Sequence, residues 1–117
     1  MDKYYIAKLI WQIKIPTNSI SSEFDEQLRI VKACNAKEAI KKASQIGHIN
    51  EETFINSKGE HVSWIFINVE FVKEFVSFDD GTEICSQTIK AADASQFIKD
   101  IHVKAALNTD AVLQKLE

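Results

Sequence analysis

Three glycines and a single proline in 117 residues leave little material for two common devices. A Gly-rich phosphate loop needs clustered glycines, and a long flexible linker needs Gly, Pro or Ser in quantity. Positive charge is also in short supply. Fourteen Lys and Arg against 17 Asp and Glu give a net charge of −3, so the total carries no basic footprint for nucleic acid. The two cysteines, Cys34 and Cys85, lack C-x-x-C spacing and are expected as reduced thiols packed like small hydrophobes. A disulfide needs an oxidising compartment, and the start Met1-Asp2-Lys3-Tyr4-Tyr5 has none of the parts of a secretion signal. Lys8, Gln12 and Lys14 interrupt the first apolar stretch, so no membrane-spanning helix is expected there. A cytoplasmic location is the expectation that remains.

What is present suits one globular domain. The apolar fraction is 45% and the charged fraction 26%, and the length allows a core without disulfide or metal staples. From Tyr4 to Ile15 the pattern has period two: Tyr5, Ala7, Leu9, Trp11, Ile13 and Ile15 form a dry face, while Lys8, Gln12 and Lys14 sit on the other. Such a strand belongs to an antiparallel sheet covered on one side. Pro16-Thr17-Asn18-Ser19 and Ser21-Ser22 read as a polar connection. Phe24 to Ala33 is a second strand, whose charged beginning suggests either an edge position or an end that projects beyond the sheet.

Asn35 with Glu38 three residues on makes a capping pair, and Ala36, Ala39, Ile40, Ala43 and Ile46 recur at helical spacing. Gly47 is expected as the left-handed terminator of that helix. Glu52 to Asn56, the turn Ser57-Lys58-Gly59 and the long run Glu60 to Phe75 form a hairpin. Both faces are apolar near Ile65 to Ile67, as a central strand requires, with simple alternation expected throughout. After the turn Asp79-Asp80-Gly81, Glu83 to Ile89 reads as a last strand. Asp93 with Gln96 opens a second helix, Asn108-Thr109-Asp110 is expected to break it, and Ala111 to Leu116 to form a short final one. The expected fold is therefore α+β: a single antiparallel sheet of about five strands, in the order β-β-α-β-β-β-α-α, with helices packed on one face. Residues 1–90 form the expected core domain, and 91–117 a helical extension that packs on the core or on a second subunit.

Candidate chemistry is sparse. The aromatic set Tyr4, Tyr5, Trp11, Trp64 and Phe66 either lines a pocket that stacks a flat ligand or packs as core. Lys8 lies mid-strand, where a buried ammonium needs a partner. It faces solvent, meets an acid such as Glu60 or Glu70, or serves as a binding cation, and Arg29 has the same three readings. His48, His61 and His102 are scattered without metal-ligand spacing, and His48-Ile49-Asn50-Glu51 is at most half of a zinc motif. No nucleophile–base arrangement stands out. Glu51-Glu52 and Asp79-Asp80 read as solvated turn residues.

Taken together, Tyr5-Ile6-Ala7-Lys8-Leu9-Ile10-Trp11, Ala36-Lys37-Glu38-Ala39, Gly47, the hairpin Asn56-Ser57-Lys58-Gly59-Glu60-His61-Val62-Ser63-Trp64-Ile65-Phe66 and the turn Asp80-Gly81-Thr82-Glu83-Ile84 resemble a bacterial family known as domain of unknown function 4288. The resemblance covers about residues 3–88. It implies a small, soluble, cytoplasmic bacterial protein of one domain, and it transfers no catalytic role. Lys8, Asn56, Glu60 and Trp64 match its motif positions. With Trp11 and Arg29 they make up the candidate ligand-binding set; no catalytic residue, metal ligand or cofactor is assigned.

The leading expectation is a non-enzymatic binding or interaction module that self-associates, as a homodimer, through its sheet or its C-terminal helices. No nucleic-acid or membrane partner is expected. One alternative is a small-ligand pocket or minor enzyme in which Lys8, Glu60 and Trp64 converge in a single cleft. Another is an accessory protein that neutralises a protein partner.

Overall fold

The period-two stretches become strands and the capped alanine run becomes a helix. A computed structural model describes residues 2–16 and 22–115. The polar connection expected at Thr17, Asn18, Ser19 and Ser21 lies outside the described residues, as does Leu116. The elements are β1 (Lys3–Lys14), β2 (Glu23–Ala33), α1 (Ala36–Ile49), β3 (Glu52–Ile55), β4 (His61–Phe75) and α2 (Ala94–Lys115). The four strands form one antiparallel sheet in the order β2-β1-β4-β3. β4 is interior, which accounts for apolar residues on both of its faces, and β2 is an edge strand, the first of the two readings of its charged beginning. The chain divides into two compact units, Met1–Ser86 and Gln87–Glu117.

In the first unit α1 covers one face of the sheet. Tyr5, Ala7, Leu9 and Trp11 of β1, Val31 and Ala33 of β2 and Phe66 of β4 pack with Ala39 and Ala43 of α1. The helix alanines present no bulk, so the helix backbone lies close to the sheet. Leu9 and Trp11 are the largest side chains buried completely, each contributing about 1.5–3 kcal/mol by leaving water. Asn35 caps α1 as expected, its Oδ1 accepting from the Glu38 amide at 2.8 Å.

Several expectations are corrected. Simple alternation along β4 fails because its register against β1 shifts twice, between Lys8 and Leu9 and between Ile10 and Trp11, leaving Glu70 and Ile67 unmatched. These bulges bring Val69 and Val72 to the same face as Trp64 and Phe66. The fifth strand is absent: Glu83–Ile89 is irregular. The preceding segment folds against the open face instead of extending an edge. Phe78 stacks with Tyr4 and Phe75 at centroid distances of 4.9 and 5.3 Å, and Glu83 pairs with Lys73 at 3.6 Å.

Gly47 does not end α1. The helix runs on to Ile49 with Asn50 as its C-cap, and the only glycines at positive φ among the described residues are Gly59 and Gly81. Cys34 and Cys85 are exposed free thiols rather than packed ones, since one precedes the α1 cap and the other lies in the irregular segment.

The second unit contains α2, which starts at the expected cap: Asp93 Oδ1 accepts from the Gln96 amide at 3.0 Å. Asn108-Thr109-Asp110 does not break it, and one helix of 22 residues replaces the expected two. Each of these residues costs only about 0.7 kcal/mol or less in a helix, and the stretch has no proline or glycine. Among the described residues no helix is long and apolar enough to cross a membrane.

Candidate functional site

The site grows out of a close approach between α1 and the sheet. Phe66 lies directly against the helix backbone at Gly47, where an added Cβ would meet its ring at 2.3 Å. Trp11, on the neighbouring strand, donates from its indole Nε1 to the Gly47 carbonyl at 3.1 Å. That carbonyl needs the donor, because the amide of Glu51, four residues on, bonds to the His48 carbonyl instead. The end of α1 is thereby fixed over Trp11 and Phe66, whose rings lie 5.6 Å apart.

α1 buries Val31 and Ala33 at the end of β2 but leaves Asp25, Gln27 and Arg29 of the same strand face only partly covered. These three form a chain of contacts. Arg29 donates from Nε and Nη2 to Gln27 Oε1 at 3.0 and 2.7 Å, and Gln27 Nε2 donates to Asp25 Oδ2 at 2.6 Å. The guanidinium carbon sits 5.7 Å from the Trp11 ring centroid, within cation–π range. No carboxylate pairs with Arg29 among the described residues, although five lysine–glutamate pairs form elsewhere.

A cleft of ≈ 160 Å³ opens here, lined by Trp11, Gln27, Arg29, Asn50, Glu52 and Trp64. Asn50 is held by the α1 cap, its Nδ2 donating to the Ile46 carbonyl at 2.7 Å. Glu51, next along, supports the wall: its Oε2 accepts the Phe66 amide at 2.9 Å and its Oε1 lies 3.2 Å from His48 Nδ1. Those two bonds, the amide first, hold its carboxyl below the usual carboxylate range. The cleft therefore presents one cation with spare donors, the Trp64 indole, two amides and one carboxylate, over a floor formed by the buried Trp11 ring. Among the described residues no group of His, Cys, Asp and Glu is arranged to hold a metal ion.

The six residues singled out in the sequence fall into three places. Trp11, Arg29 and Trp64 meet in the cleft. Lys8 lies on the opposite face, 3.0 Å from Glu70 and 3.2 Å from Glu26, and these bonds, Glu70's first, raise its pKa. Asn56 and Glu60 meet in the β3–β4 turn. There Asn56 Oδ1 accepts the Lys58 and Glu60 amides, both at 3.0 Å, and its Nδ2 donates to Glu60 Oε1 at 3.1 Å. Lys8, Glu60 and Trp64 thus do not share one cleft, because Lys8 and Trp64 face opposite ways. The aromatic set divides as well: Tyr5, Trp11 and Phe66 are core, Trp64 is half-buried in the cleft, and Tyr4 joins Phe75 and Phe78 on the open face.

Gln27, Asn50 and Glu52 were not foreseen. For Gln27 a signal existed: Asp25, Gln27 and Arg29 put three polar groups on the strand face that Val31 and Ala33 then turn apolar. A family model described as a domain of unknown function, number 4288, matches residues 4–86, which include every wall of this cleft. No curated protein and no solved structure matches the chain.

Proposed function

The chain belongs to the domain of unknown function 4288 family, and we propose that it is a non-enzymatic interaction module whose Trp11–Arg29–Trp64 cleft receives an acidic side chain of a partner. The observation that carries this reading is Arg29: a guanidinium held by Gln27 and by the Trp11 ring, with no carboxylate of its own among the described residues. A planar fork fixed in this way is prepared for two-point recognition of a carboxylate.

Size favours a side chain over a free ligand. Small-molecule sites commonly run to about 300–1,000 Å³, whereas this cleft has ≈ 160 Å³. Glu52 on the facing wall can take peptide N–H donors while Arg29 takes the carboxylate, so an acidic side chain flanked by peptide N–H groups suits the lining.

The test is a nuclear magnetic resonance titration with N-acetyl-aspartate N-methylamide, following the indole N–H signals of Trp11 and Trp64 and the Nε–H of Arg29. These signals are expected to move with the aspartate compound, to stay still with its asparagine analogue, and to lose the response in Arg29→Gln. Equal shifts with both compounds, or none with either, would overturn the reading.

A further inference from the structure

We infer that the partner is a second copy of this chain: β2 pairs antiparallel, through its outer edge, with β2 of another molecule about a two-fold axis at Gln27, so that each Arg29 faces the other copy's Asp25. The inference rests on the reading of Arg29 as an open carboxylate receptor and names the carboxylate.

The first support is the edge itself. β2 ends the sheet, runs for 11 residues and contains no proline, so its outer backbone groups are free to pair with a further strand, and its charges decide which strand that can be. The other edge, β3, has only four residues. The second support is charge. β2 is acidic in its first half (Glu23, Asp25, Glu26) and basic in its second (Arg29, Lys32), an arrangement that complements itself only when reversed. Register then decides. An axis on Glu26 or on Arg29 sets like charges face to face, and an axis on Leu28 or Ile30 brings no opposite charges together. An axis on Gln27 sets Asp25 against Arg29 twice and opposes no like charges.

The third support lies on the open face. The same register sets Phe24 against Ile30 and places the two Leu28 side chains on a diagonal. In the single copy these residues are 55%, 55% and 60% exposed. Glu26 stands opposite Leu28 of the other copy and diagonal to its Glu26, and Lys8, 3.2 Å away, offsets that like charge. The result is one continuous eight-stranded sheet with a shared apolar strip on its open side.

Light scattering and sedimentation on the full chain test this, with far-ultraviolet circular dichroism to confirm folding. At tens of micromolar a species of twice the 13.3 kDa chain mass is expected. Asp25→Arg and Arg29→Asp should each weaken association by at least about tenfold, because each replaces two attractive pairs with two repulsive ones. The double exchange of both residues should restore it. A wild type that stays monomeric, or a double exchange no better than the singles, overturns the inference. Because Asp25 of the second copy fills the Arg29 site in the dimer, the titration above is run on Asp25→Asn, which leaves Arg29 open, so the two failures are distinguishable. Should a charge variant unfold, Gln27→Cys with Cys34 and Cys85 changed to serine gives a second readout. Mild oxidation should yield a covalent dimer, and a monomer alone would refute the register.

Discussion

Replacing Gly47 by alanine sets two opposing effects against each other, and the structure says which one wins. Within a helix the exchange gains about 1 kcal/mol from reduced backbone freedom in the unfolded chain. Here, however, the new Cβ would lie 2.3, 2.4 and 2.6 Å from Cε1, Cδ1 and Cζ of Phe66. Carbon atoms in comfortable contact stand about 3.5–4.0 Å apart, so the ring or the helix must move by more than about 1 Å. Phe66 has little room: it is 7% exposed, with the Trp11 ring 5.6 Å and the His48 ring 5.0 Å from its own. Overpacking of this kind costs about 1–3 kcal/mol and occasionally more, and an overlap this large belongs at the top of that range. The net expectation is a loss of about 2 kcal/mol, read as a fall of about 1 M in the urea midpoint for a chain of this size. Phe66→Leu shortens the ring and should remove most of the penalty, so the double variant should show coupling above about 1 kcal/mol. A Gly47→Ala protein as stable as the wild type, or the same loss in both backgrounds, would refute the argument.

Trp11→Phe removes the donor to the Gly47 carbonyl and leaves that buried group unpaired, at a cost of about 1–3 kcal/mol beyond the lost ring volume. Trp64→Phe, at a half-buried position, should cost less, and thermal unfolding of the pair measures the difference. Glu51→Gln reports on pH. Because the folded-state pKa of Glu51 is lowered, its contribution is full above the unfolded value and is lost as pH falls through the folded one, so wild-type stability should decline through the acid range below about pH 5. Urea midpoints measured across that range should fall less steeply in Glu51→Gln. Some slope should persist, because Glu38 and Glu83 are shifted the same way. An unchanged profile would mean the Phe66 amide bond contributes nothing that titrates.

How legible the fold was depended on whether a signal was local. The dry face of β1, the Asn35 cap, the Asp93 cap and the hairpin around Gly59 are written in neighbouring residues, and all four are present. Gly47 shows the limit of such reading. A glycine near the end of a helical run usually marks a left-handed stop, but here it makes room for a ring from a strand that follows in the chain. Nothing within a turn of Gly47 could reveal Phe66. The missing fifth strand has the same origin. Glu83 to Ile89 alternates well enough, yet Phe78, five residues earlier, is drawn to Tyr4 and Phe75, and this commits the chain to the sheet face. The site was half legible. Trp11, Arg29 and Trp64 stood out by residue type, whereas Asn50 and Glu52 reach the cleft only because α1 ends where it does.

The two cations embedded in strands show what decides between a structural charge and an available one. Lys8 and Arg29 read alike in the sequence, each flanked by apolar neighbours. A bulge separates them. The register shift at Lys8 leaves Glu70 unmatched in β4 and brings it, with Glu26, to the ammonium, so Lys8 is neutralised from both neighbouring strands. Arg29 sits on an edge strand with only one neighbour, β1, and what that neighbour offers is an indole and no acid. Its missing carboxylate can come only from beyond the edge, where the chain has no strand of its own, or from a group that enters the cleft. A cation placed there is available for recognition because of topology, and no inspection of its neighbours in sequence would have separated it from Lys8.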